Sequence, residues 1–233
     1  MGEIFVERKQ IVVPGEKLAT GMDILPSYGT MRRGEDIYSV KFGMTEIKDD
    51  RIIKVIPLSG VYIPSTGDTV IGRIMDIGFA GWQVDIASPY TANLPVGEFM
   101  HERVELLKAD LSRYLDIGDI VYAKVINVTK SKIVQLSMKA EGARKLIGGR
   151  IIKITPSKVP RLIGKKGSMI KIIKDATKCN IIVGQNGYVW IKGSPEAEFR
   201  ALEAIYKIEK ESHTSGLTDR IKNMLEGDSN GEA

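Results

Sequence analysis

The residues best placed to do chemistry lie between positions 144 and 178, and the chemistry they offer is attraction for anions. Eleven Lys or Arg fall in this stretch against one acid, Asp175. Within it sits Gly164-Lys165-Lys166-Gly167. Glycines at both ends of so short a loop let the backbone approach a phosphate closely, and a helix starting just beyond it offers free N–H groups. Lys165 and Lys166 place two positive charges at that point, with Arg161 before the loop and Lys171 after it. The loop is not a nucleotide-binding P-loop, because Gly-x4-Gly-Lys-Ser/Thr is absent. A second group combines Phe79 and Trp82 with Arg73 and Lys124.

Other chemistries find little support. The only cysteine, Cys179, can form no intramolecular disulfide and no cysteine-based zinc site, and reads as a small core residue. His101 and His213 lack ligand spacing. Clustered carboxylates or a base–nucleophile pair, which RNA cleavage requires, are not evident, so the chain reads as a non-enzyme without metal or cofactor. No apolar run reaches the roughly 18 residues needed to span a bilayer, and the start Met-Gly-Glu-Ile resembles no signal peptide. These features point to a cytoplasmic chain with no membrane and no small-molecule substrate as partner. The net charge of +5 is unevenly divided: 0 over residues 1–65, −1 over 66–140 and +6 over 141–233. A polyanionic partner is therefore expected at the C-terminal part.

The elements that must position these residues fall into three folded parts. Residues 1–65 contain short runs rich in β-branched residues, bounded by Gly, Pro or Asp, and predict a small β-rich unit. Residues 66–140 carry an internal echo: Gly67-Asp68-Thr69-Val70-Ile71-Gly72-Arg73-Ile74 resembles Gly118-Asp119-Ile120-Val121-Tyr122-Ala123-Lys124-Val125. Alternation puts Val70, Gly72 and Ile74 on one face, matching Val121, Ala123 and Val125, with Arg73 and Lys124 opposite. About five strands in this stretch fit a small barrel of the OB type, with a helix or loop over 104–114. Residues 146–212 read as strand, short helix, the glycine loop, helix 168–178, strands 181–183 and 188–191, then a helix opening at Ser194-Pro195. Asn186-Gly187 marks the turn between the last two strands. Residues 213–233 read as a flexible tail holding at most one short helix over 218–225.

Family resemblances sharpen this outline. Gly67-Asp68, Gly72, Phe79, Trp82-Gln83-Val84-Asp85, Gly118-Asp119-Ile120-Val121 and Leu136-Ser137-Met138-Lys139 resemble the RNA-binding domain named from ribosomal protein S-one. The resemblance implies an OB barrel that stacks RNA on Phe79 and Trp82, with Arg73 and Lys124 on its RNA face; the other reading of the two rings is that they are barrel core. The stacking histidine of that family falls near Pro95, a departure. The β-α-α-β-β-α order with Gly-x-x-Gly between its first two helices resembles the KH domain, which implies that Gly164, Lys165, Lys166 and Gly167 clamp RNA. With Val12-Val13-Pro14-Gly15-Glu16, Ile56-Pro57-Leu58-Ser59-Gly60 and Val61-Tyr62-Ile63-Pro64, the chain as a whole resembles the RNA-binding cap subunits of the archaeal exosome. That family implies three copies on an RNase-PH-like hexameric ring, anchored by the N-terminal unit and threading RNA into a 3′-5′ exoribonuclease. The alternative is a free-standing RNA-binding factor, for example in translation. The expected fold class is multidomain: a β-rich N-terminal unit, an OB-type β-barrel and an α/β KH domain.

Overall fold

A computed structural model of the chain describes residues 2–99, 111–212, 214 and 216–227. It divides into two compact units, residues 1–60 and 61–233.

The first unit is all β. Its strands are β1 (Glu3–Ile4), β2 (Ile11–Val12), β3 (Lys17–Thr20), β4 (Leu25–Pro26), β5 (Thr30–Arg33), β6 (Asp36–Ser39), β7 (Gly43–Lys48) and β8 (Ile52–Pro57). They form two four-stranded sheets, ordered β1-β3-β6-β5 and β2-β7-β8-β4. Val12, Leu18, Ile24, Ile37, Ile53 and Val55 make the core, one inward residue in two along each longer strand. The Thr45 hydroxyl, buried at this core, donates to Glu7 O at 2.5 Å and accepts from Gln10 N at 3.1 Å, so a polar group inside the unit is satisfied.

The second unit begins at Val61, not at residue 66 as read from sequence. The reason is Tyr62: its ring joins the barrel core and its hydroxyl donates to Asp68 at 2.6 Å. Burial is the main influence that pushes this phenol far above its ordinary pKa, and the Asp68 carboxylate adds to it.

The barrel strands are β9 (Thr69–Gly78), β10 (Gly81–Asp85), β11 (Ala92–Pro95), β12 (Ile120–Val128) and β13 (Val134–Ser137), with a one-turn α1 (Val96–Phe99) between β11 and β12. The sheet order β13-β11-β10-β9-β12 closes through a β12–β13 pairing, and β14 (Arg144–Leu146) adds to β12. The expected faces are present: Val70, Ile74, Val121, Ala123 and Val125 are core, while Arg73 and Lys124 are exposed. Gly72 is small by necessity, since a Cβ there would lie 2.4 Å from the Val84 side chain. Most of the segment 104–114 falls outside the described residues, as do His101 and His213. Its end, Leu111–Arg113, is a 3-10 turn that sends Leu111 and Leu115 into the core.

The KH part follows as β15 (Arg150–Lys153), α2 (Val159–Ile163), α3 (Ser168–Thr177), β16 (Asn180–Val183), β17 (Tyr188–Lys192) and α4 (Pro195–Lys210). Its sheet is ordered β15-β17-β16. Ser194 caps α4 by accepting from Ala197 N, with Pro195 in the first turn. Met169, Ile173, Ile181, Val189, Ala201, Ile205 and Ile208 pack the core, and Cys179 is buried among them. The expected flexible tail is corrected here. Residues Leu217–Gly227 form α5, whose Leu217, Ile221 and Leu225 are buried in the same core. Their four-residue spacing is one helical face.

Barrel and KH domain are joined by more than the chain. Ile71, Leu146 and Trp190 form a shared apolar cluster, with Ile120, Tyr122, Ile151, Ile182 and Tyr188 packed around it. The turn between β16 and β17 reaches the backbone of β9. Gln185 N donates to Thr69 O at 2.8 Å, and Thr69 N donates to the Gln185 side chain at 2.9 Å. Asn186, 0% exposed, donates to Ile71 O at 2.7 Å and Ile86 O at 2.9 Å, and accepts from Ile71 N at 3.3 Å.

Candidate nucleic-acid interface

The glycine loop is built as its sequence requires. Gly164 ends α2 with φ +75°, and a Cβ there would lie 2.8 Å from both the backbone N and the Cβ of Met169. Gly167 adopts the left-handed conformation at φ +78° and leads directly into α3. Lys166 is also left-handed, at φ 51°, which costs a non-glycine residue energy. Lys165 and Lys166 are exposed, and neither side chain makes an ion pair or hydrogen bond among the described residues. Lys171 is exposed one turn into α3. Three cations thus gather at the positive end of a ten-residue helix. Arg161 differs from them: its guanidinium donates to Thr214 O at 3.1 Å, which ties α2 to the segment leading into α5.

The barrel residues do not form one patch. Phe79 stands at the tip of the β9–β10 hairpin and is 78% exposed, available to a stacking base. Arg73 is six residues back along β9, roughly 20 Å at strand rise. It lines a cleft of about 240 Å³ between barrel and KH domain with Asp85, Lys153 and Tyr188. There burial raises the Tyr188 phenol's pKa, Asp85 raises it further, and Arg73 opposes the shift. Lys124 is exposed on β12, opposite Thr69, four residues from the Arg73 register position.

Trp82 is a correction. It was expected to stack RNA, but it is 1% exposed. Its indole N–H donates to Leu115 O at 2.9 Å and its ring meets Phe99 edge-on at 5.1 Å. The indole therefore holds the barrel's interior together and offers no face to a ligand. Beside it, the outer surface of β10, β11 and β13 forms a shallow cleft of about 340 Å³ floored by Gly81, Gln83, Asn93, Pro95 and Gln135. Among the described residues no cluster of His, Cys, Asp or Glu could hold a metal, and no helix is long and apolar enough to cross a membrane.

An OB barrel locked to a KH domain is the fold of an RNA-binding protein. Comparison with known proteins narrows this. Residues 61–127 match the model described as "RRP4, S1 domain", and residues 149–197 match a KH-domain model. The chain is 51% identical over 228 residues to exosome complex component Rrp4 of Pyrococcus furiosus, covering 97% of this chain and 86% of that one. The protein of the same name from Methanothermus fervidus is 48% identical over 95% and 97% of the two chains. A crystal structure provisionally described as an exosome complex RNA-binding protein superposes with a TM-score of 0.67 at 38% identity, over 73% of this chain and 98% of that one. The chain belongs to the Rrp4 family of exosome complex components.

Proposed function

We propose that this protein is a noncatalytic RNA-binding cap of an exosome, which captures single-stranded RNA and passes it to a 3′-5′ exoribonuclease ring for degradation or processing. The observation that carries the reading is the join between its two RNA-binding modules. Buried bonds from Asn186 tie the KH sheet to β9 and to Ile86 of the barrel, so the two modules act on RNA as one unit. Gly164, Lys165, Lys166, Gly167 and Lys171 grip phosphates; Phe79 stacks a base; Arg73 and Lys124 add charge along the barrel. Arg161 supports the loop through its bond to Thr214 O.

The N-terminal unit supplies the anchor. Ile11, Met44 and Ile56 are successive cross-strand partners on the outer face of the β2-β7-β8-β4 sheet, and Ile11 is 60% exposed. Val13 and Phe42, also exposed, extend this apolar surface. Such a patch on a small unit favours burial against another protein. We assign that partner as an RNase-PH-like hexameric ring in the cytoplasm, with three caps per ring. A free-standing RNA-binding factor would account for the barrel and KH domain but not for this patch.

The test of RNA capture is the salt dependence of binding to a single-stranded oligonucleotide. Lys165→Asp with Lys166→Asp weakens binding and lowers the log–log slope by about 0.7 for each phosphate that the loop no longer neutralises. An unchanged slope places the phosphate path elsewhere.

A further inference from the structure

The barrel face that lacks its stacking tryptophan carries amides instead. Gln83 on β10 is opposite Asn93 on β11, Asn93 is opposite Gln135 on β13, and Gln135 is opposite Asn127 on β12. These four form one row across four neighbouring strands. All four face outward: Gln83, Asn93 and Gln135 alternate with buried Trp82, Val84, Ala92, Leu94, Val134 and Leu136, and Asn127, beyond a bulge in β12, is itself exposed. At about 4.8 Å between strands, the row is about 14 Å long. Asn127 donates to the Gln135 side-chain oxygen at 3.3 Å, which aligns the far end and leaves the Gln135 amide N–H groups facing out.

The surface beside the row is flat. Gly81 is opposite Pro95 in the next register position, and a Cβ on Gly81 would lie 2.3 Å from Leu94 O. Nothing taller than backbone can stand there. Gln83, Asn93 and Gln135 overlook the resulting cleft of about 340 Å³, large enough for a nucleobase, and Gly78 and Ala80 of the β9–β10 hairpin line its end.

We infer that this amide row reads the edges of unstacked bases, so that the barrel discriminates among RNA sequences by hydrogen bonding. A primary amide presents a donor and an acceptor side by side, as the edges of the bases do. In single-stranded RNA those edges are free to be read. The four members carry no charge, so they add selectivity without adding phosphate attraction. That attraction remains with Lys165 and Lys166. The inference rests on the RNA-binding reading and adds to it the source of sequence preference.

Competition among oligo(A), oligo(C) and oligo(U) of equal length for the full-length chain tests it. One well-made bidentate pair discriminates by about five- to hundredfold. The wild-type chain should separate its best and worst oligonucleotides by at least about fivefold. Gln83→Ala with Gln135→Ala should bring them within about twofold and leave the salt slope unchanged. If Gln135→Ala lowers the melting temperature, Gln83→Ala alone carries the comparison and should narrow the ratio. Wild-type binding that does not distinguish the oligonucleotides, or a ratio that survives these substitutions, overturns the inference while RNA binding itself stands. Absence of any binding by the wild-type chain removes both.

Discussion

Asn186→Ala should uncouple barrel from KH domain, and the structure gives the size of the effect. The side chain is wholly buried and makes three hydrogen bonds to the backbone of Ile71 and Ile86. At about 1 kcal/mol net each, their loss costs about 3 kcal/mol. Carbonyls left without partners in a buried seam raise this to about 3–5 kcal/mol, a large part of the roughly 5–15 kcal/mol that holds a domain folded. The assay is urea unfolding followed by tryptophan fluorescence, because Trp190 lies in the seam and Trp82 in the barrel core. Gln185→Ala is the control. Its side chain is exposed and its loss removes one bond to Thr69 N, so it should cost about 1 kcal/mol or less. Asn186→Asp adds a second signature. It keeps the volume but sets a carboxylate against two carbonyl oxygens, which raises the folded-state pKa of the new group above its unfolded value. Its contribution is then best at low pH and deteriorates as pH rises through the raised value. The variant should therefore be relatively less damaged at pH 4 than at pH 8. An Asn186→Ala cost no larger than that of Gln185→Ala would refute the latch.

Three further outcomes are expected from the same structure. Trp82→Ala should lower stability by about 3–5 kcal/mol, seen as a large fall in melting temperature, because it empties a core site. Ile11→Asp with Met44→Asp should abolish co-purification with the ring while leaving RNA affinity unchanged, since both lie on the outer sheet face of the N-terminal unit. Acid should weaken the fold through Asp36 and Asp119. The Lys17 hydrogen bond lowers the pKa of Asp36; at Asp119 burial works the other way, but bonds from Lys145 and Asp116 N prevail. Both folded-state values are depressed, so their support is complete above the unfolded value of about 3.9 and is lost as pH falls through the lowered ones. Lys17→Met should flatten the Asp36 part of an acid titration of the melting temperature.

Much of this molecule was legible in its sequence because local rules agreed with the fold. Gly164 and Gly167 flank a turn into a strongly amphipathic helix, and the paired Gly-Asp strands showed which residues face the barrel interior. Trp82 was misread although its parity was available. It alternates with Val84 and Ile86, both buried, while Gln83 and Asp85 point out. Strand period outweighed the aromatic's capacity to stack. Helix α5 was underestimated because it is short and rich in polar residues, yet Leu217, Ile221 and Leu225 mark one face. Asn186 could be read only as a turn residue. Its partners lie 115 and 100 positions away, and no local pattern encodes such a bond. The amide row was hidden for the same reason: alternation shows that each amide faces outward, but only the register shows that they meet.

The most direct test of the cap assignment is native mass spectrometry of the full-length chain mixed with an assembled RNase-PH-like hexamer. A stable species with three copies of this chain per ring, lost on Ile11→Asp with Met44→Asp, is expected. Components that remain separate at micromolar concentration would contradict it and leave a free RNA-binding protein.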